Sequence, residues 1–241
     1  MAETSSSPPE KGLLPRHIGI IMDGNRRWAK NKKIPVELGH QAGARVVGKV
    51  IRHCKKLGIP YLTFYTLSTE NWKRPQREID ALLNLLRQYL ENLEDYRQEN
   101  ARLRVLGDTS PFPWKLRETI RKAQEESRDN NAITVNLALN YGGRAEILYG
   151  VKRLVQECAE GKINPEYLTE EDLSRRLYTA GEPDPDIIIR PGGEQRLSNF
   201  LLWQSAYSEL VFLDVLWPDF TPEHLNYALC QYARRDRREG R

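Results

Sequence analysis

Short apolar runs, each breaking into a polar, glycine-bearing cluster, constrain this chain more than any other feature. His17–Met22 reads H-I-G-I-I-M and stops at Asp23-Gly24-Asn25. Pro60–Leu67, P-Y-L-T-F-Y-T-L, stops at Ser68-Thr69-Glu70-Asn71. Ile133–Leu139 stops at Asn140-Tyr141-Gly142-Gly143-Arg144, and Asp186–Arg190 stops at Pro191-Gly192-Gly193-Glu194. Runs of this length, rich in β-branched and aromatic residues, suit strands buried on both faces. The residues that end them favour sharp turns. Amphipathic stretches of helical spacing lie between: Gly39–Leu57 closed by Gly58, Glu78–Asn100, Pro113–Arg128 with Trp114, Leu116 and Ile120 inward, a stretch through Val151 and Leu154 to Ala159, Thr169–Tyr178 capped by Thr169, and Pro222–Asp236. Two further strands are read at Arg102–Gly107 and Leu210–Leu213. The alternation predicts an α/β fold, a largely parallel central sheet with helices on both faces, in one domain over 16–241 after a disordered tail over 1–15.

In a parallel sheet the polar clusters share one edge, where ligands of open α/β folds bind. Together they supply Arg26, Arg27, Arg74, Arg144, Arg190 and Arg196, with Asn25, Ser68, Asn71 and Ser198 as further donors. Glycine pairs add exposed backbone N–H groups, and Gly24 lets the backbone approach a ligand. Forked guanidiniums and turn amides suit phosphate oxygens, here on more than one phosphate-bearing ligand. Asp23 is out of place beside anions unless a divalent cation bridges it to phosphate. His40, opening the next helix, is either another donor to phosphate or a structural histidine. D-G-N is also a common turn, and R-R-W also reads as a solvated helix start. No H-E-x-x-H, G-x-S-x-G or G-x-x-x-x-G-K-[ST] is present, which removes the usual signatures of metalloproteases, serine hydrolases and P-loop enzymes. The helix at Glu78–Asn100 has apolar residues over more than one stripe, so it either lines a greasy cavity or sits deep in the core.

Totals narrow the class. The chain has 241 residues, 39% of them hydrophobic, enough for a core. No run approaches the roughly 20 apolar residues of a spanning helix. The polar start M-A-E-T-S-S-S-P-P has no apolar core of a signal peptide. Cys54, Cys158 and Cys230 lie far apart, as free thiols of a reducing cytosol do. The net charge of +4 is mild, and much of it comes from the final A-R-R-D-R-R-E-G-R, a solvated end or an attraction to anionic membrane surfaces. Arginines at strand ends, without a basic stripe interleaved with aromatics, predict no nucleic-acid partner.

The motifs H-I-G-I-I-M-D-G-N-R-R-W-A, Gly39-His40, S-T-E-N-W-K-R-P, N-Y-G-G-R, I-R-P-G-G-E-Q-R-L-S-N-F-L-L-W-Q, Y-S-E-L and D-V-L-W-P-D-F, spread from His17 to Arg237, resemble those of the cis-prenyltransferases, bacterial undecaprenyl diphosphate synthases in particular. The resemblance implies condensation of isopentenyl diphosphate with an allylic diphosphate such as farnesyl diphosphate. It also implies Mg²⁺ as cofactor, a homodimer, and growth of the product in an apolar tunnel between sheet and helices. By position, Asp23 would ligate Mg²⁺ and help the allylic diphosphate leave, and Glu209 of a second copy would complete the metal site. Gly24, Asn25, Arg26, Arg27 and His40 would hold the allylic diphosphate, with Trp28 and Trp72 flanking the site. Ser68, Thr69, Glu70 and Arg74 would position substrate, and Asn71 would assist proton removal. Arg190, Arg196, Leu197 and Ser198 would bind isopentenyl diphosphate. Undecaprenyl diphosphate, the cell-wall lipid carrier, is the first product expected, with a shorter chain or a catalytically silent partner subunit as alternatives. Such an enzyme is expected in the cytoplasm, visiting the membrane surface to release its product. The chain departs from the family at Val36, where many bacterial members carry arginine; Lys32 or Lys33 is the candidate substitute. Gln195 stands where some members have histidine, and Arg26 where many bacterial members have glycine.

Overall fold

A computed structural model describes residues 7–91 and 99–235. Six strands form one sheet: β1 His17–Ile21, β2 Tyr61–Ser68, β3 Ala101–Leu106, β4 Ile133–Tyr141, β5 Ile187–Pro191 and β6 Glu209–Leu213. Their order is β3-β4-β2-β1-β5-β6, and every neighbouring pair is parallel. The helices are α1 Asn25–Asn31, α2 Val36–Leu57, α3 Gln76–Glu91, α4 Trp114–Glu126, α5 Gly143–Ala159, α6 Glu170–Ser174 and α7 Pro222–Ala233.

The period-2 alternation of a strand sorts side chains onto two cores. Ile18 and Ile20, Leu62 and Phe64, Val135 and Leu137, and Ile187 and Ile189 enter a large cluster with α2, α3, α4 and α7. Their alternates Ile21, Tyr65, Ala138 and Ile188 enter a smaller cluster with Phe200 and Leu201, joined by Tyr141 beyond a register shift near the end of β4. Phe64 and Trp217 are fully buried and meet edge to face. Truncating Phe64 to alanine removes a core ring, a change worth about 3–5 kcal/mol.

Two helices decide the site. Helix α2 buries Gly39, Gly43, Val46, Val47, Val50, Ile51 and Cys54, and ends where Gly58 takes φ +80° and its N–H reaches the Lys55 carbonyl. A Cβ on Gly39 would lie 2.4 Å from the Asn25 carbonyl oxygen, and one on Gly43 2.2 Å from Asn25 Oδ1. Two glycines one turn apart on α2 therefore let α1 lie directly against it. Helix α3 buries Ile79, Leu83, Leu86 and Leu90.

Several expected boundaries shift. Helix α2 starts at Val36 rather than Gly39, because Pro35 serves as its N-cap and its fixed φ suits a helix start. The helix expected over Glu78–Asn100 begins at Gln76 and is described to Glu91; residues 92–98 lie outside the described residues, and Asn100 sits in a turn. Trp114, expected inward, is 67% exposed. The buried stripe of α4 is Leu116, Ile120 and Ala123, and Trp114 stands two residues, about 200° of helix, away from Leu116. Thr169 caps its helix through a reciprocal capping box with Asp172, but α6 closes at Ser174 rather than Tyr178. Of the expected tail, residues 1–6 lie outside the described residues, Lys11–Leu13 makes a single 3₁₀ turn, and Pro15 is buried.

Candidate active site

Because all six strands run the same way, their carboxyl ends meet, and a chamber of about 620 Å³ opens there at the ends of β1, β2 and β5. Asp23, Asn25, His40, Ser68, Glu70, Asn71, Arg74, Arg190, Arg196, Ser198 and Asn199 line it. A second cavity, about 90 Å³ and apolar, lies beneath it between the sheet and α2 and α3, walled by Val47, Leu83, Leu86, Leu137 and Trp217 among others. Met22, Asn25, His40, Thr66 and Leu82 border both spaces.

The chamber's charges are paired. Arg190, its side chain 5% exposed, donates from Nη2 to Asp23 Oδ2 at 2.8 Å and from Nη1 to Ser198 Oγ at 2.8 Å. Arg27 reaches Asp23 Oδ1 at 3.4 Å, and Glu194 at 4.0 Å. Gly192 permits this approach, since a Cβ there would sit 2.8 Å from Arg27 Nη2. Arg74 bonds Glu78 at 2.9 Å, with Arg26 3.8 Å from the same oxygen, and Arg196 pairs with Glu194. The arginines are thus neutralised by these carboxylates, and an entering anion would exchange the carboxylates for its own oxygens.

Two buried side-chain atoms lack a hydrogen-bond partner where the two spaces meet: Asn25 Oδ1 and His40 Nε2. Asn25 Oδ1 faces the Gly43 backbone, which turns the amide NH₂ away from α2. Burial, and then the Arg74 guanidinium, holds the His40 imidazole down to about 4. His40 is thus neutral near pH 7, a hydrogen-bonding group rather than a cation. Burial, and next the Glu70 carboxylate, pushes the Tyr65 phenol upward, so it remains a donor.

Other expected residues lie outside the chamber lining. Trp28 donates to Asp219 Oδ1 at 2.8 Å and carries Lys32 Nζ over its ring. Trp72 donates to Asn140 Oδ1 at 2.7 Å and packs against Phe112. Leu197 packs into the smaller core. Gly24, at φ +111°, is the N-cap of α1. Thr69 opens the 3₁₀ turn Thr69–Lys73, in which Asn71 Oδ1 accepts the Ser68 N–H at 3.1 Å. Lys32 Nζ lies 4.6 Å over the Trp28 ring, and Lys33 is exposed. Glu209 begins β6, the edge strand, at the sheet edge opposite Asp23, and pairs with Arg235.

The glycine pairs differ from the sequence reading. The amides expected to face phosphate are already bonded: Gly192 N–H to the Val215 carbonyl, Gly193 N–H to Leu213, and Gly143 N–H to Asn199. These glycines serve close packing and, at Gly192 and Gly193, positive φ. Arg144 is exposed and does not line the chamber. Asn199, Glu78 and Glu194 are the residues that sequence reasoning left without a role.

Comparison with known proteins decides the assignment. The family model described as "Putative undecaprenyl diphosphate synthase" matches residues 21–240. The chain belongs to the cis-prenyltransferase family. It is 47% identical to an isoprenyl transferase of Clostridium perfringens, over 94% of this chain and 90% of that protein. It is 48% identical to the isoprenyl transferase of Geobacillus kaustophilus, over 94% and 89%. Among solved structures, lavandulyl diphosphate synthase from Lavandula x intermedia in complex with dimethylallyl diphosphate superposes with a TM-score of 0.92 at 34% identity, covering 95% of this chain and all of that one. A probable undecaprenyl diphosphate synthase from Campylobacter jejuni gives 0.79 at 35% identity, covering 94% and 99%. The protein is therefore an enzyme that transfers prenyl groups. No helix among the described residues is long and apolar enough to cross a membrane.

Proposed function

We propose that this cis-prenyltransferase condenses isopentenyl diphosphate with an allylic diphosphate, farnesyl diphosphate first, and extends it to undecaprenyl diphosphate. The observation that carries the reading is the junction of an arginine-lined chamber with an apolar cavity at Asn25 and His40. The relative captured with dimethylallyl diphosphate supports an allylic diphosphate in the chamber.

In this reading Asn25, Arg26, Arg27, His40 and Arg74 hold the allylic diphosphate, and Arg190, Arg196 and Ser198 hold isopentenyl diphosphate. Breaking the allylic C–O bond gathers charge on the leaving diphosphate, which the first set of donors stabilises. The carbon that becomes electron-poor stays on the apolar side, beyond Met22 and Leu82. Water is thereby kept from the cation, so the double bond of isopentenyl diphosphate is the nucleophile. The proton then lost is acidic enough for a weak acceptor. Asn71 Oδ1 already accepts the Ser68 N–H, so Asn71 aids this step through the loop it shapes and its NH₂ group, and a diphosphate oxygen serves as the base.

Asp23, which lines the chamber with Glu70, suits Mg²⁺, which binds through one or two carboxylates plus substrate phosphates. When bound there, Mg²⁺ would supply positive charge to the leaving diphosphate. Among the described residues no group of three or more His, Cys, Asp or Glu side chains could hold a metal by itself; substrate oxygens, with Glu209 of a second copy, would complete the site. A homodimer is supported by an exposed apolar stripe on α5, Leu148, Val151 and Val155, and by Tyr207 near Glu209. The product is apolar, so the enzyme meets a membrane surface to discharge it. Val36 lies in a crevice between α2 and α3 of about 200 Å³ and offers no charge to the starter.

Incubation with labelled isopentenyl diphosphate, Mg²⁺ and either geranyl or farnesyl diphosphate, with products sized by chromatography, tests the proposal. A ladder ending at the undecaprenyl product supports it. A short product ends the undecaprenyl assignment and points to the cavity floor. Absence of any product returns the silent-subunit alternative.

A further inference from the structure

Asn199, on the loop after β5, is bonded to the loops after β2 and β4. Its carbonyl accepts the Gly143 N–H at 2.7 Å, and its Oδ1 accepts the Arg144 N–H at 2.9 Å. These are amides at the start of α5 that lack partners within the helix. Its Nδ2 donates to Glu70 Oε1 at 3.0 Å. One side chain thus ties the loop after β2 to the loop after β4, from a position on the loop after β5. Only asparagine fits the pattern at this length, because an N–H on one side demands an acceptor and a carboxylate on the other demands a donor.

The surrounding backbone is built around this knot. Ser198, Asn199 and Leu201 all have left-handed φ, at +50°, +66° and +44°. Non-glycine residues hold such angles only where neighbours over-determine them. A Cβ on Gly142 would fall 2.6 Å from Asn199 Nδ2 and 2.8 Å from Thr69 Oγ1, so the three loops converge on a missing side chain. From the other side Tyr65 stacks on Phe200 at 4.7 Å and donates from its hydroxyl to the Ser198 carbonyl at 3.2 Å. The peptide joining Ser198 to Asn199 is thereby fixed from both ends. Ser198 Oγ takes the Arg190 guanidinium, and Arg196 precedes it by two residues. Burial works against the Glu70 carboxylate, but its own backbone N–H and then Asn199, with Ser68 and Thr69, hold it below the usual range, so it stays an anion facing that amide.

We propose that Asn199 is a positioning residue that sets the Arg190–Arg196–Ser198 limb of the chamber in register with the Glu70 loop, and so governs affinity for the homoallylic diphosphate. The proposal rests on the assignment of that limb to isopentenyl diphosphate. The allylic side stands chiefly on α1 and α2, and Arg74, although it closes the Glu70 loop, is anchored separately by Glu78 of α3.

The test is steady-state kinetics of Asn199→Asp, which keeps the acceptor for Arg144 but turns a carboxylate toward Glu70. KM for isopentenyl diphosphate should rise about tenfold, the worth of one hydrogen bond to a charged group, with KM for farnesyl diphosphate within about twofold. Adding Glu70→Gln, which supplies a donor opposite the new carboxylate, should return the isopentenyl KM to that of Glu70→Gln alone. Gly142→Ala, which displaces Asn199 without altering it, should give the same selective rise if Asn199→Asp does not fold. Equal loss of both affinities, no change in either, or no rescue by Glu70→Gln overturns the proposal. Arg196→Ala separates this failure from failure of the underlying assignment. If that variant leaves the isopentenyl KM unchanged, the limb does not bind this substrate; if it raises KM while Asn199→Asp does not, the positioning role alone is wrong.

Discussion

The two spaces at the carboxyl edge of the sheet are made by opposite means. The chamber is walled by loops, and its arginines are matched by carboxylates: Arg190 by Asp23, Arg74 by Glu78, Arg196 by Glu194. The apolar cavity is walled by helices and strands, with leucines, valines and Trp217 locked in the main core. Binding in the first is an exchange of one anion for another. Binding in the second would be the filling of apolar space between the sheet and the helices α2 and α3. In the proposed reading, charge chemistry and product length are set by separate residues, which meet at Met22, Asn25, His40, Thr66 and Leu82.

Variants can pull the two apart. The largest effect is expected at Asp23. Asp23→Asn keeps an acceptor for Arg190 but loses the carboxylate charge, and kcat should fall by about two to three orders of magnitude with little change in Tm. Near-normal turnover would remove Asp23 from the chemistry. Mixing this variant with Glu209→Gln should restore activity, because one site of the mixed dimer then has both carboxylates; failure to restore would place Glu209 outside the site.

Next, Arg74→Ala and Arg196→Ala should divide the substrates. Each should raise one KM about tenfold or more and leave the other nearly unchanged, Arg74→Ala acting on the allylic diphosphate. A common effect on both would mean that the chamber is not divided. On the apolar side, Leu86→Trp narrows the cavity, and the product distribution should shift to shorter chains with both KM values within about twofold. An unchanged product would show that the chain grows elsewhere.

The smallest effect concerns pH. His40 is held at about 4 against 6.5 in a free imidazole, and burial lowers His17 also. Below 6.5 the unfolded chain gains protons that these buried rings refuse, so stability should fall as pH drops from 6.5 toward 4 and be flat in this respect above 6.5. Thermal unfolding of His40→Asn should show a shallower slope over that window, by up to about one proton. An unaltered slope would mean that His40 is readily protonated in the native chamber.

Much of the fold was legible because its signals are local. Strand period, turn residues and helix stops, such as Gly58 after Leu57, each act within a few residues. The strand-end inventory was legible for the same reason, and the parallel sheet then gathers it. Partnerships across long stretches of chain were not legible. Nothing near Gly142-Gly143 announces that Asn199, more than fifty residues on, takes the amides, or that the Val215 carbonyl takes the Gly192 N–H. Trp114 misled because an aromatic at a helix start looks like core until its angle to Leu116 and Ile120 is counted. Trp28 and Trp72 carry indole N–H groups that found acceptors in Asp219 and Asn140, which drew both rings away from the chamber lining.

The central claim is that the diphosphate and the hydrocarbon of one ligand occupy these two different spaces. Calorimetry of farnesyl thiodiphosphate against inorganic pyrophosphate, both with Mg²⁺, tests it most directly. Burial of apolar surface gives a negative heat-capacity change. The account predicts a distinctly negative value for the farnesyl compound that shrinks in Leu86→Trp, and a value near zero for pyrophosphate in both proteins. Equal heat-capacity changes for the two ligands, or a farnesyl value untouched by Leu86→Trp, would contradict it.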